Sequence, residues 1–262
     1  MDLERIYLKI RNEGMAGRAF TAAPAMLLVT IIYLVAVLSI PIFQPQKLIW
    51  LGAYPIMASE ITGIGFLKVL LRSLWILPLV VVIGIFNPIF DTETAFVYQG
   101  MVISKGWLSL VSIILRGLLS FQALIILIMN TGLINVFNSF SRLGIPSILT
   151  TQMLLTYRYI IIIAGEAIVM KRAREARGYG RSNYPIKEWA RFVGLLMIRS
   201  TNRAKRIHQA MKARGFEGVL PLGSHLKWTI SSWLWAIGWV AAIAFLRFYD
   251  LSRLFLQFSH RM

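Results

Sequence analysis

The feature that most limits what this chain can become is a succession of apolar stretches, each near the length a bilayer demands, joined by short polar connections. A hydrocarbon core of about 30 Å takes about 20 mostly apolar residues per helix. Residues 22–40 meet that length and stop at Pro41. After the turn Gln44-Pro45-Gln46, residues 48–58 form a second, shorter stretch closed by Glu60. So short a connection reads as a membrane hairpin. Residues 65–77 differ, because Lys68 and Arg72 stand four apart among leucines and Trp75, a pattern suited to a helix lying at the interface. A strongly apolar span starts at Pro78 and runs to Phe90, followed by a polar loop over 91–104. Residues 107–129 form the next span, interrupted only by Arg116 and Gln122. Ile145-Pro146 opens a long helical stretch through Gly165, and the tryptophan-rich 226–245 is the last span.

These stretches predict an all-α polytopic membrane protein with about five transmembrane helices. Composition agrees: 57% of residues are hydrophobic and 15% charged, with a mean hydropathy of +0.67, whereas soluble domains carry about 25% charged residues. The first twenty residues are polar and mixed in charge. No cleavable signal is therefore expected, and the first apolar segment stays as an anchor.

The net charge of +17 has to be read by location before it is read by partner. The N-terminal tail holds four basic residues, 61–75 holds two, and 171–214 holds thirteen against two acids. The loops 41–46 and 91–106 together contain one lysine. An N-terminus in the cytoplasm satisfies all of these at once. Arg247, Arg253 and Arg261 are the exception, because they fall outside if 226–245 spans. The charge is thus assigned to membrane topology, and nucleic acid is not an expected partner.

Several chemistries are excluded. The chain has no cysteine, hence no disulfide, thiol nucleophile or cysteine metal site. It has no glycine-rich phosphate loop with lysine and hydroxyl. His208, His225 and His260 share no metal-ligand spacing, and no carboxylates pair at helical spacing. No catalytic residue, cofactor or metal site is expected. Glu166 is expected to pair with Arg158 or a neighbouring base. Arg116 is expected to be packed or paired within the helices, and Trp228, Trp233, Trp235 and Trp239 to anchor an interface.

Residues 166–218 carry the most information. Two helices are implied, the first ending at Gly178 with Arg172, Arg174 and Arg177 in its last turns, where cations suit the negative helix terminus. The second opens near Pro185, with a cap from within 182–184, and ends at Gly215. The two ends match: Ala176-Arg177-Gly178 precedes Tyr179-Gly180, and Ala213-Arg214-Gly215 precedes Phe216-Glu217-Gly218. At about 100° per residue, and taking Arg199 as zero, Arg203 lies at about 40°, Arg206 at about −20° and Arg214 at about 60°. Val193, Leu196, Ala204, Ile207 and Met211 fall at about 60° to 140° on the same projection. Lys205 and Lys212 lie on the far side. An arginine stripe thus runs beside an apolar one. One reading is an amphipathic helix on anionic lipid. The other is a docking surface, where small residues allow close approach and arginines pair with a partner's carboxylates. The two are compatible.

Two Ala-Arg-Gly ends on consecutive basic helices of such a membrane protein resemble the transmembrane T component of energy-coupling-factor (ECF) transporters. Flanking residues resemble its cobalt/nickel branch, the CbiQ/NikQ type: Thr156-Tyr157-Arg158-Tyr159-Ile160, the run Arg172 to Gly178, and Arg199-Ser200 followed by Gln209 to Phe216. The likeness is strongest over about 150–220 and rests upstream on organisation, with Phe86-Asn87-Pro88 as a weak echo.

The resemblance implies a non-catalytic subunit of the cell membrane. Residues 1–145 would be an N-terminal transmembrane region, 146–220 the cytoplasmic coupling helices, and 221–262 a last helix and tail. The coupling helices would insert their ends into two ABC ATPase subunits, and the membrane helices would hold a substrate-binding S component. ATPase-binding positions would be Ala176, Arg177, Gly178, Ala213, Arg214 and Gly215, supported by a basic face of Arg174, Arg199, Arg203 and Arg206. The cargo would be cobalt or nickel. The alternatives are a T component shared among vitamin-binding S components, a basic membrane scaffold, and a lipid-acting membrane enzyme, which lacks the His or acidic cluster it needs.

Overall fold

The structure, a computed structural model, describes residues 23–42, 45–91, 94–98, 101–177, 185–220 and 229–248. They belong to two compact units, one drawn from Gly17–Gly132 and Leu226–Met262, the other from Met1–Ala16 and Leu133–His225. Among the described residues the fold is all-α apart from one small hairpin. Four helical runs among the described residues are long and apolar enough to cross a membrane: Phe66–Ile89, Lys105–Thr131, Ser147–Arg177 and Ile230–Arg247. Ala23–Leu38 is a shorter apolar helix. The chain is a polytopic membrane protein.

The first unit contains α1 (Ala23–Leu38), α2 (Pro45–Leu51), α3 (Ala53–Ile61), α4 (Phe66–Ser73), α5 (Leu77–Gly84), α6 (Asn87–Phe90), a hairpin of β1 (Thr94–Tyr98) and β2 (Met101–Ser104), α7 (Lys105–Thr131) and α11 (Ile230–Phe248). Helix α7 is its axis, packing against each of α1 to α6, while α11 covers α1 and α2. Small residues on α7 set the spacing. A β-carbon at Gly106 would stand 2.6 Å from the Asn87 carbonyl and from Pro88 Cα, and one at Gly117 would stand 2.8 Å from a Val80 methyl. Close backbone approach through small residues is the usual way helices associate in lipid, where no hydrophobic force drives them together.

The polar residues of α7 close its contacts. Ser109 Oγ accepts from Asn87 Nδ2 at 2.7 Å, and Gln122 Nε2 donates to Ser73 Oγ at 3.4 Å. Arg116 Nη2 donates to the Ile40 carbonyl at 2.7 Å, and Ser112 donates to the Ile42 carbonyl. From α11, Arg247 donates to the Ala36 carbonyl at 3.1 Å and to Ser39 Oγ. Two guanidiniums therefore meet the C-terminal end of α1, where free carbonyls and the negative end of the helix dipole favour cations. This resolves Arg116 as a packed, backbone-bonded group. The same unit has an aromatic core: the rings of Tyr33 and Tyr54 stack at 4.3 Å, and Trp239 meets Tyr54 edge-on at 5.0 Å.

Two local expectations are corrected. Residues 65–77 do not form a separate interfacial helix, because α4 runs through a 3₁₀ turn (Leu74–Ile76) into α5, making one apolar run over Phe66–Ile89. Pro78 sits in the first turn of α5, where its missing N–H costs no helical bond. The polar loop 91–104 contains the antiparallel hairpin, with Tyr98 paired to Met101.

The second unit contains α8 (Leu133–Arg142), α9 (Ser147–Arg177) and α10 (Ile186–Ala213). Helix α9 packs against α8 and α10, and the Phe137 and Tyr157 rings meet edge-on at 6.3 Å. After α10 the chain returns to the start of α9, where the Leu220 N–H donates to Thr151 Oγ1 at 3.2 Å.

Candidate functional site

The end of α10 is built as its sequence spells it. Gly215 has φ +81°, a left-handed conformation that costs glycine nothing. Its N–H donates to the Lys212 carbonyl at 3.0 Å, and the Phe216 N–H reaches back to the Met211 carbonyl at 3.0 Å. This pair of bonds is a Schellman termination, which satisfies carbonyls that the last turn leaves open. Ala213, Arg214 and Gly215 are exposed, so Arg214 projects from a helix end whose backbone is already closed. The matching end of α9 has Ala176 and Arg177 exposed in its last turn. Gly178, and the proposed capping stretch 182–184, lie outside the described residues. Pro185 occupies the cap position of α10 with extended backbone.

Two ion pairs join α9 to α10. Arg174 bonds Glu188 at 2.5 Å, and Arg203 bonds Glu166 at 2.8 Å. The partner of Glu166 is thus Arg203, not a base on its own helix. Glu188 lies in the first turn of α10 and Arg174 in the last turn of α9, so each also favours its own helix dipole. Between the pairs, α9 advances about 12 Å and α10 about 22 Å at 1.5 Å per residue. Such unequal separations mean that the two axes cross at an angle.

The space between the crossing helices is a groove of about 390 Å³. Val169, Met170, Ala173, Phe192 and Leu195 supply its apolar surface, and Arg174, Arg177, Arg191, Arg199 and Glu188 its charge. The structure therefore brings Arg174, Arg177 and Arg199 together. Arg203 is held by Glu166, and Arg206 is exposed beyond the groove. Arg214 stands about 22 Å further along α10 than Arg199. Glu188, Arg191 and the groove itself were not singled out from sequence; an acid three residues after the capping proline was the available signal. Beside the groove, Ile186, Trp189, Val193 and Met197 form an exposed apolar stripe, 88%, 45%, 57% and 70% accessible. Among the described residues there is no group of three His, Cys, Asp or Glu able to hold a metal ion.

Residues 18–227 match the family model described as CbiQ, cobalt transport protein. Among curated relatives, the cobalt transport protein CbiQ of Salmonella typhimurium is 30% identical over 104 residues, 39% of this chain and 46% of the relative. CbiQ of Rhodobacter capsulatus is 32% identical over 80 residues, 30% of this chain and 33% of the relative. A putative fused cobalt transport protein CbiMQ of Methanocorpusculum labreanum is 28% identical over 130 residues, 49% of this chain and 21% of the relative. The chain spans less than half the length of each of these relatives in its alignment.

Proposed function

The chain belongs to the CbiQ cobalt transport protein family, and from that membership we propose that it is the transmembrane coupling subunit of an ATP-driven ECF-type importer of cobalt or nickel ions. It is the T component: it binds two ABC ATPase subunits through the ends of α9 and α10 and holds a substrate-binding S component through its membrane helices. It lies in the cell membrane with its N-terminus in the cytoplasm, and residues 146–220 form the coupling region between the membrane regions 1–145 and 221–262, leaving the bilayer through the apolar start of α9 and lying in the cytoplasm from Lys171 onward. It hydrolyses no ATP itself, in keeping with a sequence that has no phosphate-binding loop.

The single observation that supports this most is the exposed Arg214 on the closed end of α10, matched by exposed Arg177 in the last turn of α9. A guanidinium pairs with a carboxylate through two parallel hydrogen bonds, which fixes orientation as well as affinity. The side chains named as support divide by role. Arg174 and Arg203 hold the two helices together, Arg199 lines the groove, and Arg206 remains exposed. The relatives cited above carry cobalt in their names, which favours a dedicated metal system over a T component shared by vitamin carriers.

The test is radioactive cobalt uptake in cells co-expressing this chain with its ATPase and S-component partners. The paired reversals Arg177→Glu and Arg214→Glu are expected to abolish uptake and co-purification of the ATPases while the protein still inserts in the membrane. Unchanged uptake and unchanged assembly would refute the reading.

A further inference from the structure

We propose that the groove between α9 and α10 is a binding site for one anionic phospholipid, its phosphate held by the arginines and the start of its acyl chains lying on the apolar floor. The two surfaces such a molecule needs are both present and adjacent. Met170 is buried, and Ala173, Phe192 and Leu195 continue an apolar floor from it. The rim carries four arginines against one glutamate, and that glutamate is already engaged by Arg174. Among the described residues no carboxylate pairs with Arg177, Arg191 or Arg199. A phosphate diester supplies the missing negative charge and accepts the forked guanidinium hydrogen bonds.

The position along α9 agrees. The groove begins at Val169, where the apolar run of α9 gives way to Lys171, Arg172, Arg174 and Arg177. That change of character marks the boundary between hydrocarbon and water, where basic pockets take lipid headgroups. The neighbouring stripe of Ile186, Trp189, Val193 and Met197 is exposed over most of its surface, and a tryptophan in such a stripe suits the headgroup level. The ion pairs Arg174–Glu188 and Arg203–Glu166 hold the crossing, so the site is formed before the lipid arrives. A volume of about 390 Å³ lies in the range of small-ligand pockets. It accommodates a headgroup and the beginning of its chains, with the remainder in the bilayer. The groove shares Arg177 with the ATPase-docking end of α9, but the test contains no ATPase and its variants leave Arg177 in place, so either reading can fail alone.

The full-length chain in a nonionic detergent is titrated with short-chain phosphatidylglycerol and followed by native mass spectrometry. One molecule is expected to bind, and phosphatidylcholine of the same chain length is not expected to replace it. Arg191→Ala with Arg199→Ala should weaken that binding by about thirtyfold, the effect of two arginines at a membrane surface. Ala173→Trp fills the groove without changing charge and should remove the same event. Lys205→Gln with Lys212→Gln, which removes two charges outside the groove, should leave it intact. Circular dichroism confirms that each variant is folded. Equal weakening by the lysine and arginine pairs would overturn the proposal in favour of diffuse charge, as would full binding by Ala173→Trp. Displacement by glycerophosphoglycerol lacking acyl chains would make the groove a site for soluble phosphate esters. Displacement by an acidic peptide would make it a protein-docking surface. Either result would also overturn it.

Discussion

The two units solve the problem of holding helices together in opposite ways. In the unit around α7, ten of the sixteen residues of α1 are buried, and glycines, serines and an aromatic stack mark its close approaches. In the unit of α8 to α10, α10 buries no residue at all, and α9, at 31 residues, buries four. There α9 and α10 are joined by charge, through Arg174–Glu188 and Arg203–Glu166. Packing of the first kind fixes one arrangement, because every displaced atom loses many contacts at once. A crossing held by two half-exposed ion pairs resists far less, because such pairs contribute little individually. The unit that carries the matched arginine ends is therefore the one whose internal geometry can be changed at small cost.

This contrast can be broken by substitution. The largest effect is expected from Tyr54→Ala, which removes a fully buried ring from between Tyr33 and Trp239. It should destabilise the α7 unit by about 3 kcal/mol, read as a lowered thermal unfolding temperature in detergent. An unchanged temperature would mean that the aromatic core is not a stabilising centre. Next is Gly215→Val, which places a β-branched side chain at φ +81°. A loss of about 1 to 2 kcal/mol should appear as early amide exchange confined to the last turn of α10, with global unfolding unaltered. Uniform exchange along the helix would contradict the local account. The smallest effect is expected from Glu166→Gln, at about 0.5 to 1 kcal/mol. A widened distance distribution between spin labels on α9 and α10 should accompany it. Combining Glu166→Arg with Arg203→Glu should restore the narrow distribution. If Glu166→Gln proved as damaging as Tyr54→Ala, the proposed difference between the units would not hold.

The features that depend on local pattern were legible in the amino-acid sequence. Apolar length located the spanning runs, and the order glycine-then-aromatic after Arg214 foretold a capped helix end, since both signals are set within a few residues. Features set by distant partners were not. Glu166 finds Arg203, 37 residues away, and no local spacing states how α9 and α10 cross. The same crossing turns Arg199 and Arg203 toward α9, which a projection of one helix cannot show. Pro78 alone predicts the start of a span, but the 3₁₀ turn before it lets the helical run continue from Phe66. The pairing of Thr94–Tyr98 with Met101–Ser104 was local yet overlooked: two runs rich in aromatic and β-branched residues, Ala95-Phe96-Val97-Tyr98 and Met101-Val102-Ile103, flank Gln99-Gly100, which is a hairpin signal that the acids at 91 and 93 obscure.

The Schellman end of α10 has a mechanical consequence. A helix whose terminal carbonyls await solvent frays, and a frayed terminus is compliant: a push on it is absorbed by uncoiling the last turn before the rest of the rod moves. Here Phe216 and Gly215 lock that turn from outside. A load applied at Arg214 therefore meets a stiff tip and passes down the axis of α10 to the yielding crossing with α9. Such a load would be taken up at the crossing of α9 and α10 and not at the tip of α10.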